Sequence, residues 1–150
     1  MKKITFSLLI LLSLSLLCSC SGADPITDVN VLKDSLLSLS YQDELELISQ
    51  NTADSLLDIS GLYESAEYYC SSGATAEQIV IVKASSGKAN DVFSKLSAFL
   101  DDQKTQFAGY NPAETSKLNN AILEMKGDYV ILCVTNEDSK AKDIVSRFTI

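Results

Sequence analysis

The chain has no histidine and no tryptophan, and only two prolines in 150 residues. Without histidine there is no Ser-His-Asp or Cys-His relay, no imidazole acid-base work and none of the usual zinc sites. Cysteine is scarce where it would matter for redox or metal chemistry: Cys18 and Cys20 lie in the first twenty residues, and beyond them only Cys70 and Cys133 remain, with no C-x-x-C pair. Positive charge is also in short supply. Met1–Ser19 holds two of the twelve basic residues and none of the twenty acidic ones, so the 131 residues from Cys20 onward carry a net −10. That balance argues against nucleic acid, whose phosphates require basic patches, and it describes a well-solvated body.

The chain opens on Lys2 and Lys3, continues through an aliphatic run from Ile4 to Leu17, and has no acidic residue before Asp24. This is the layout of a secretory signal. The run is 14 residues long, short of the roughly 20 that a spanning helix needs. "LCSC", Leu17 to Cys20, resembles a bacterial lipobox with small Ser19 before the cut; Cys18 fits worse because bulky Leu17 would precede it. The resemblance implies that Cys20 becomes the mature N-terminus and carries the lipid. Two or three acyl chains, at about 0.8 kcal/mol per buried methylene, make a durable anchor where one is marginal. The expected organisation is a signal peptide over 1–19, a lipidated tether over 20–28 and one domain over 29–150, on the outer face of the cell membrane.

Along that domain, Val29, Leu32, Leu36 and Leu39 keep a helical interval, and Leu45 to Ile59 continue a helical or mixed region. "LYESAEYYC" and "EQIVIVKA" suit a pair of strands around the turn "SSGATA". Ala89, Val92, Phe93, Leu96, Phe99, Leu100 and Phe107 form one apolar stripe of a long helix, with Asp91 and Lys95 spaced as an ion pair. Gly109 ends it. "NPAE" predicts a second start, with Asn111 as cap, Pro112 in the first turn and Glu114 reaching back to the cap. "AILEM" and "DYVILCV" predict a hairpin around Gly127. A last helix is expected from Asn136 as cap, with pairs Asp138–Lys142 and Asp143–Arg147. The expected fold class is α+β: a two-layer sandwich of a mainly antiparallel four-stranded sheet, ββαββα in order, preceded by short helices.

"GATAEQIVIVKA", "FAGYNPAETSKLNNA" and "GDYVILCVTNEDSKA" resemble the blocks of an uncharacterised lipoprotein family, a domain of unknown function common in Firmicutes, especially gut Clostridia, over roughly residues 62–148. The resemblance implies an exported, lipid-anchored domain and supplies no catalytic residue.

No catalytic constellation emerges from the residues themselves. Asp43 with Glu44 and Asp101 with Asp102 are acidic pairs, but adjacent carboxylates on a helix point apart. "NEDSKAKD" lacks the glycine and terminal glutamate of a calcium loop, and Ser86–Lys88 lacks the spacing of a phosphate loop. Tyr63, Tyr68, Tyr69 and Tyr129 fall on strands, Tyr41 lies in the N-terminal region, and Tyr110 in "GYNP" is the candidate for an exposed contact. Cys70 and Cys133 are expected to be buried free thiols, with a disulfide the alternative that export would allow. No cofactor or metal is expected. The reading is a non-enzymatic binding or accessory module of the cell envelope, held to the membrane by lipid on Cys20, with an envelope protein as partner and no nucleic acid; the alternative is an exported enzyme with a carboxylate-based site.

Overall fold

The computed structural model describes residues 23–109 and 111–150. Helix α1, Val29–Leu37, starts where the Asp28 carboxylate accepts from the Asn30 amide, and buries Leu32 and Leu36. A two-residue strand, β1 (Glu46–Leu47), precedes α2 (Gln50–Leu57), which is capped by Ser49 and ends on Asp58 in the left-handed region at φ 52°. The hairpin β2 (Tyr63–Cys70) and β3 (Gln78–Ala84) leads into α3, Ala89–Ala108, whose apolar stripe buries Val92, Leu96, Leu100 and Phe107. Phe93 and Phe99 border that core half-buried. Helix α4 (Pro112–Asn119), the hairpin β4 (Ile122–Lys126) and β5 (Tyr129–Val134), and α5 (Asp138–Arg147) complete the order. The expected Asp91–Lys95 pair does not form. Asp91 takes Lys88 one turn earlier, and Lys95 crosses to Asp58, which the left-handed end of α2 turns toward it.

All strand pairs are antiparallel, in the order β1-β2-β3-β5-β4. The sheet therefore has five strands where the sequence predicts four. The addition is β1, placed by Leu47 opposite Tyr69. Both its residues are exposed, so it carries no periodicity to read. The hairpin β4–β5 closes over Gly127 and Asp128, with Lys126 opposite Tyr129 and Gly127 at φ 56°. A glycine at the first central position meets the positive φ that a tight hairpin turn needs there.

The expected two layers are in fact three. Val80, Val82, Val130, Leu132 and Val134 face one core with α2, α3 and α4, while Ile79, Ile81, Ile131 and Cys133 face a second with α1 and α5. Ile79 to Val82 and Val130 to Val134 are all at most 5% exposed. An unbroken apolar run in a strand, rather than an alternating one, is what burial on both faces demands. The chain ends are drawn into the second core: Ile26 pairs in parallel with Phe148, its amide donating to the Arg147 carbonyl at 2.9 Å and its carbonyl accepting from Thr149 at 2.9 Å. Among the described residues no helix is long and apolar enough to cross a membrane.

Candidate functional site

At the end of the sheet where β3 begins and β5 finishes, three charged side chains meet out of water. Lys117 of α4 lies 3.1 Å from a Glu77 oxygen and 2.9 Å from a Glu114 oxygen; the side chains of Lys117, Glu77 and Glu114 are 7%, 0% and 3% exposed. Glu77 Oε1 also accepts from Asn136 at 3.2 Å, and Oε2 accepts from the Gln42 amide at 2.7 Å, the Asp43 amide at 3.3 Å and the Thr75 hydroxyl at 3.4 Å. The second Glu114 oxygen accepts from the Ala76 amide at 2.7 Å. Burial pulls the Lys117 ammonium down, but hydrogen bonds and charge from Glu114 and Glu77 outweigh it and leave its pKa above the ordinary lysine value. Each carboxylate oxygen thus holds a donor from the chain itself.

The segment 38–45 crosses this end of the sheet, tied down mainly through its amides. The Ser40 amide donates to Glu137 at 2.7 Å, as the Gln42 and Asp43 amides do to Glu77. Tyr41 points inward, donating to the Leu36 carbonyl at 2.8 Å and lying 4.0 Å from the Cys133 sulfur. Two clefts flank the segment. One of about 420 Å³ is lined by Asp43, Glu44, Glu46, Ile48, Cys70, Ser71 and Ser72, and one of about 350 Å³ lies along Leu37, Leu39 and Tyr41 to Leu45. Asp43 lines both, and its Oδ2 is buried with no hydrogen-bond partner.

Two residues expected to cap helices serve this cluster instead. Asn111 and Pro112 stand at the start of α4 as expected, but Asn111 makes no side-chain cap bond, and Glu114 turns to Ala76 and Lys117 rather than back to the cap. Asn136 bonds Glu77, and Glu137 occupies the N-cap of α5. A charged partner in a dry site is a stronger attraction for either side chain than an exposed cap amide. Lys117 and Glu77 went unpredicted as site residues. The available signals were the i, i+3 spacing of Glu114 and Lys117 and the position of Glu77 immediately before an apolar strand.

The other sequence candidates are scattered. Cys20 and Tyr110 lie outside the described residues. Asp101 and Asp102 are exposed, with Asp101 paired to Lys104, while Glu44 is exposed beside half-buried Asp43. Tyr63, Tyr68, Tyr69 and Tyr129 are on β2 and β5. Asp143–Arg147 forms a pair at 3.0 Å; Asp138–Lys142 does not. Ser86–Lys88 is a turn with Gly87 at φ 75°. Among the described residues no group of three or more histidine, cysteine or acidic side chains could hold a metal ion.

Cys70 and Cys133 are free; Cys133 is buried as expected, whereas Cys70, at the end of β2, is only half-buried. They border different cores, on opposite faces of the sheet, with β3 between their strands. Two strand spacings, about 9.6 Å, exceed the reach of a disulfide. Burial pushes the Cys133 thiol up to about 12, partly opposed by the Tyr41 hydroxyl. Burial, with help from Glu67, likewise pushes Tyr69 up to about 12. These groups hold protons in the fold that the unfolded chain would release, so they contribute full stability below about pH 8.5 and lose it as pH rises toward 12. Lys117, also raised, acts in the same direction at higher pH. The expected result is a constant melting temperature from pH 6 to 8.5 and a steady fall above it. Cys133→Ala should remove up to about 1.4 kcal/mol per pH unit of that dependence. Parallel slopes for the two proteins in a pH series of urea melts would contradict this account.

No curated protein and no solved structure matches the chain. A family model described as "Domain of unknown function (DUF4358)" matches residues 38–135, well over half of the chain. The matched segment runs from the tied-down 38–45 stretch to the residue after β5 and includes Glu77, Glu114 and Lys117, whereas α1 and α5 fall outside it. The chain therefore belongs to the DUF4358 family, and the buried ion triplet lies within the part that defines membership.

Proposed function

We propose that this protein is a lipid-anchored extracytoplasmic domain acting as a binding or accessory module of the cell envelope, without chemistry of its own. The observation that carries the second half of this reading is the closed state of the Glu77–Lys117–Glu114 triplet. A catalytic carboxylate must present an oxygen to substrate, and here the oxygens are held by Lys117, Asn136, Thr75 and three backbone amides. The alternative, an exported enzyme with a carboxylate-based site, draws support from Asp43, whose Oδ2 has no partner. Against it, the other carboxylates that line the same cleft, Glu44 and Glu46, are exposed to water.

The anchoring half rests on the "LCSC" sequence at Leu17 to Cys20 and on the basic start and 14-residue aliphatic run that precede it. In a host with the lipoprotein pathway, Cys20→Ala should abolish incorporation of labelled fatty acid and release the protein from the membrane fraction or leave its leader uncut. Cys18→Ala should be labelled and fractionate as wild type. Equal labelling of both variants would remove Cys20 as the anchor.

A further inference from the structure

Strand β4 closes one side of the sheet, and among the described residues nothing pairs with its outer edge. Lys126 and Tyr129 flank a two-residue turn, so Lys126, Glu124 and Ile122 direct their main-chain groups inward to β5. Leu123 and Met125 direct theirs outward. Natural edges are blunted by proline, a bulge, a covering element or charged side chains, and of these β4 has Glu124 and Lys126, whose opposite signs can be met by a second antiparallel copy. Here five residues run regularly, Met125 is 43% exposed, and a cleft of about 460 Å³ lies between Asn119 to Glu124 and Asp138, Ser139 and Lys142 of α5. The opposite edge, β1, has only two residues to offer.

From this we infer that β4 is an interface at which two copies of the chain pair edge to edge, antiparallel, in a register centred on Met125. The charges select that register. A two-fold pairing must match residues whose main-chain groups both point outward, which restricts the choice to Leu123 and Met125. Setting Leu123 against Met125 would put Glu124 directly opposite the second copy's Glu124. Setting Leu123 against Leu123 would leave Glu124 facing Ile122 and Lys126 facing Asn120. Sliding one step toward the turn would oppose the two copies of Lys126. With Met125 against Met125, each Glu124 stands opposite the second copy's Lys126, and this happens twice. Opposite charges directly across strands attract and like charges repel. The pairs would extend the Lys126–Glu124 contact of 3.2 Å already present within each strand. An interface of this kind is isologous and closes at two copies.

The symmetry axis then stands perpendicular to a continuous ten-stranded sheet, so the α1–α5 layers of both copies lie on one side. Ile26 is held in that layer, and both N-terminal segments leave from the same face. On the proposed anchoring through Cys20, both lipids could enter one membrane. The pairing itself does not depend on the lipid.

Residues 21–150, which include every described element, provide the test by sedimentation equilibrium. A particle of twice the monomer mass is expected. Met125→Pro removes an outward amide without touching the β4–β5 ladder, and should give a monomer with the wild-type far-ultraviolet spectrum and a melting temperature that, unlike the wild type's, does not rise with protein concentration. Glu124→Lys and Lys126→Glu should each weaken dimerisation by about tenfold, and the two together should restore it. In a Cys70→Ala background, Met125→Cys should form a covalent dimer with oxidised glutathione much faster than Glu124→Cys, because only residue 125 meets its own copy. A monomer at concentrations up to about 1 mM, a dimer that survives Met125→Pro, or a charge swap that fails to recover affinity overturns the inference. Because the protein used carries no lipid, failure here is separate from failure of the Cys20 experiment.

Discussion

Lys117→Met will cost about 3–5 kcal/mol, a large part of the roughly 5–15 kcal/mol that holds a domain of this size. The substitution leaves Glu77 and Glu114 buried at 0% and 3% exposure with no cation between them. Methionine fills the space of the lysine stem, so the loss reports on charge rather than on a void. Adding Glu77→Gln and Glu114→Gln to Lys117→Met removes both orphaned charges and should recover at least half of the loss, since a neutral side chain of the same shape can still accept the Gln42, Asp43 and Ala76 amides. Urea denaturation of the three proteins decides the matter. A loss below about 1 kcal/mol for Lys117→Met would mean that the triplet is wetter and looser than its geometry indicates.

Ile131→Ala and Leu132→Ala should each cost about 2–5 kcal/mol. The two residues are adjacent on β5, point to opposite faces and are both fully buried. In a sandwich of two layers one of them would face water, and its truncation would change stability by no more than about 0.5 kcal/mol. The pair of variants therefore tests the third layer directly: comparable losses mean two dry faces, and one silent substitution would strip α1 and α5 of their role as a covering layer.

The extent to which this architecture could be read in advance follows from how local each signal is. The stripe of α3 spans five turns and repeats one message, so Val92, Leu96 and Leu100 were readable as core. The runs Ile79–Val82 and Val130–Val134 carry the two-sided burial as well, because they do not alternate; such a run marks a central strand without saying which helices cover its second face. Strand β1 was not legible, since its placement depends on Leu47 meeting Tyr69 and on nothing periodic within Glu46–Leu47. The ion triplet was hidden for a different reason. Glu77, Glu114 and Lys117 come from segments separated by some forty residues, and Glu114 has a sufficient local explanation as a capping residue. A local rule gave it a plausible place, while a charged partner elsewhere in the chain offered a stronger one.

The pairing of Ile26 with Phe148 brings the entry and exit of the domain together. In topological terms the chain is nearer to a ring than to a line, and the seam belongs to the α1–α5 layer. A neighbouring domain joined directly before Ile26 or after Phe148 would leave from that one side. The outer surface of α2, α3 and α4 would stay clear of it. The same closeness suits the domain to insertion as a whole into a single loop of another protein, because the host would need to open that loop by only about a strand spacing to receive both ends.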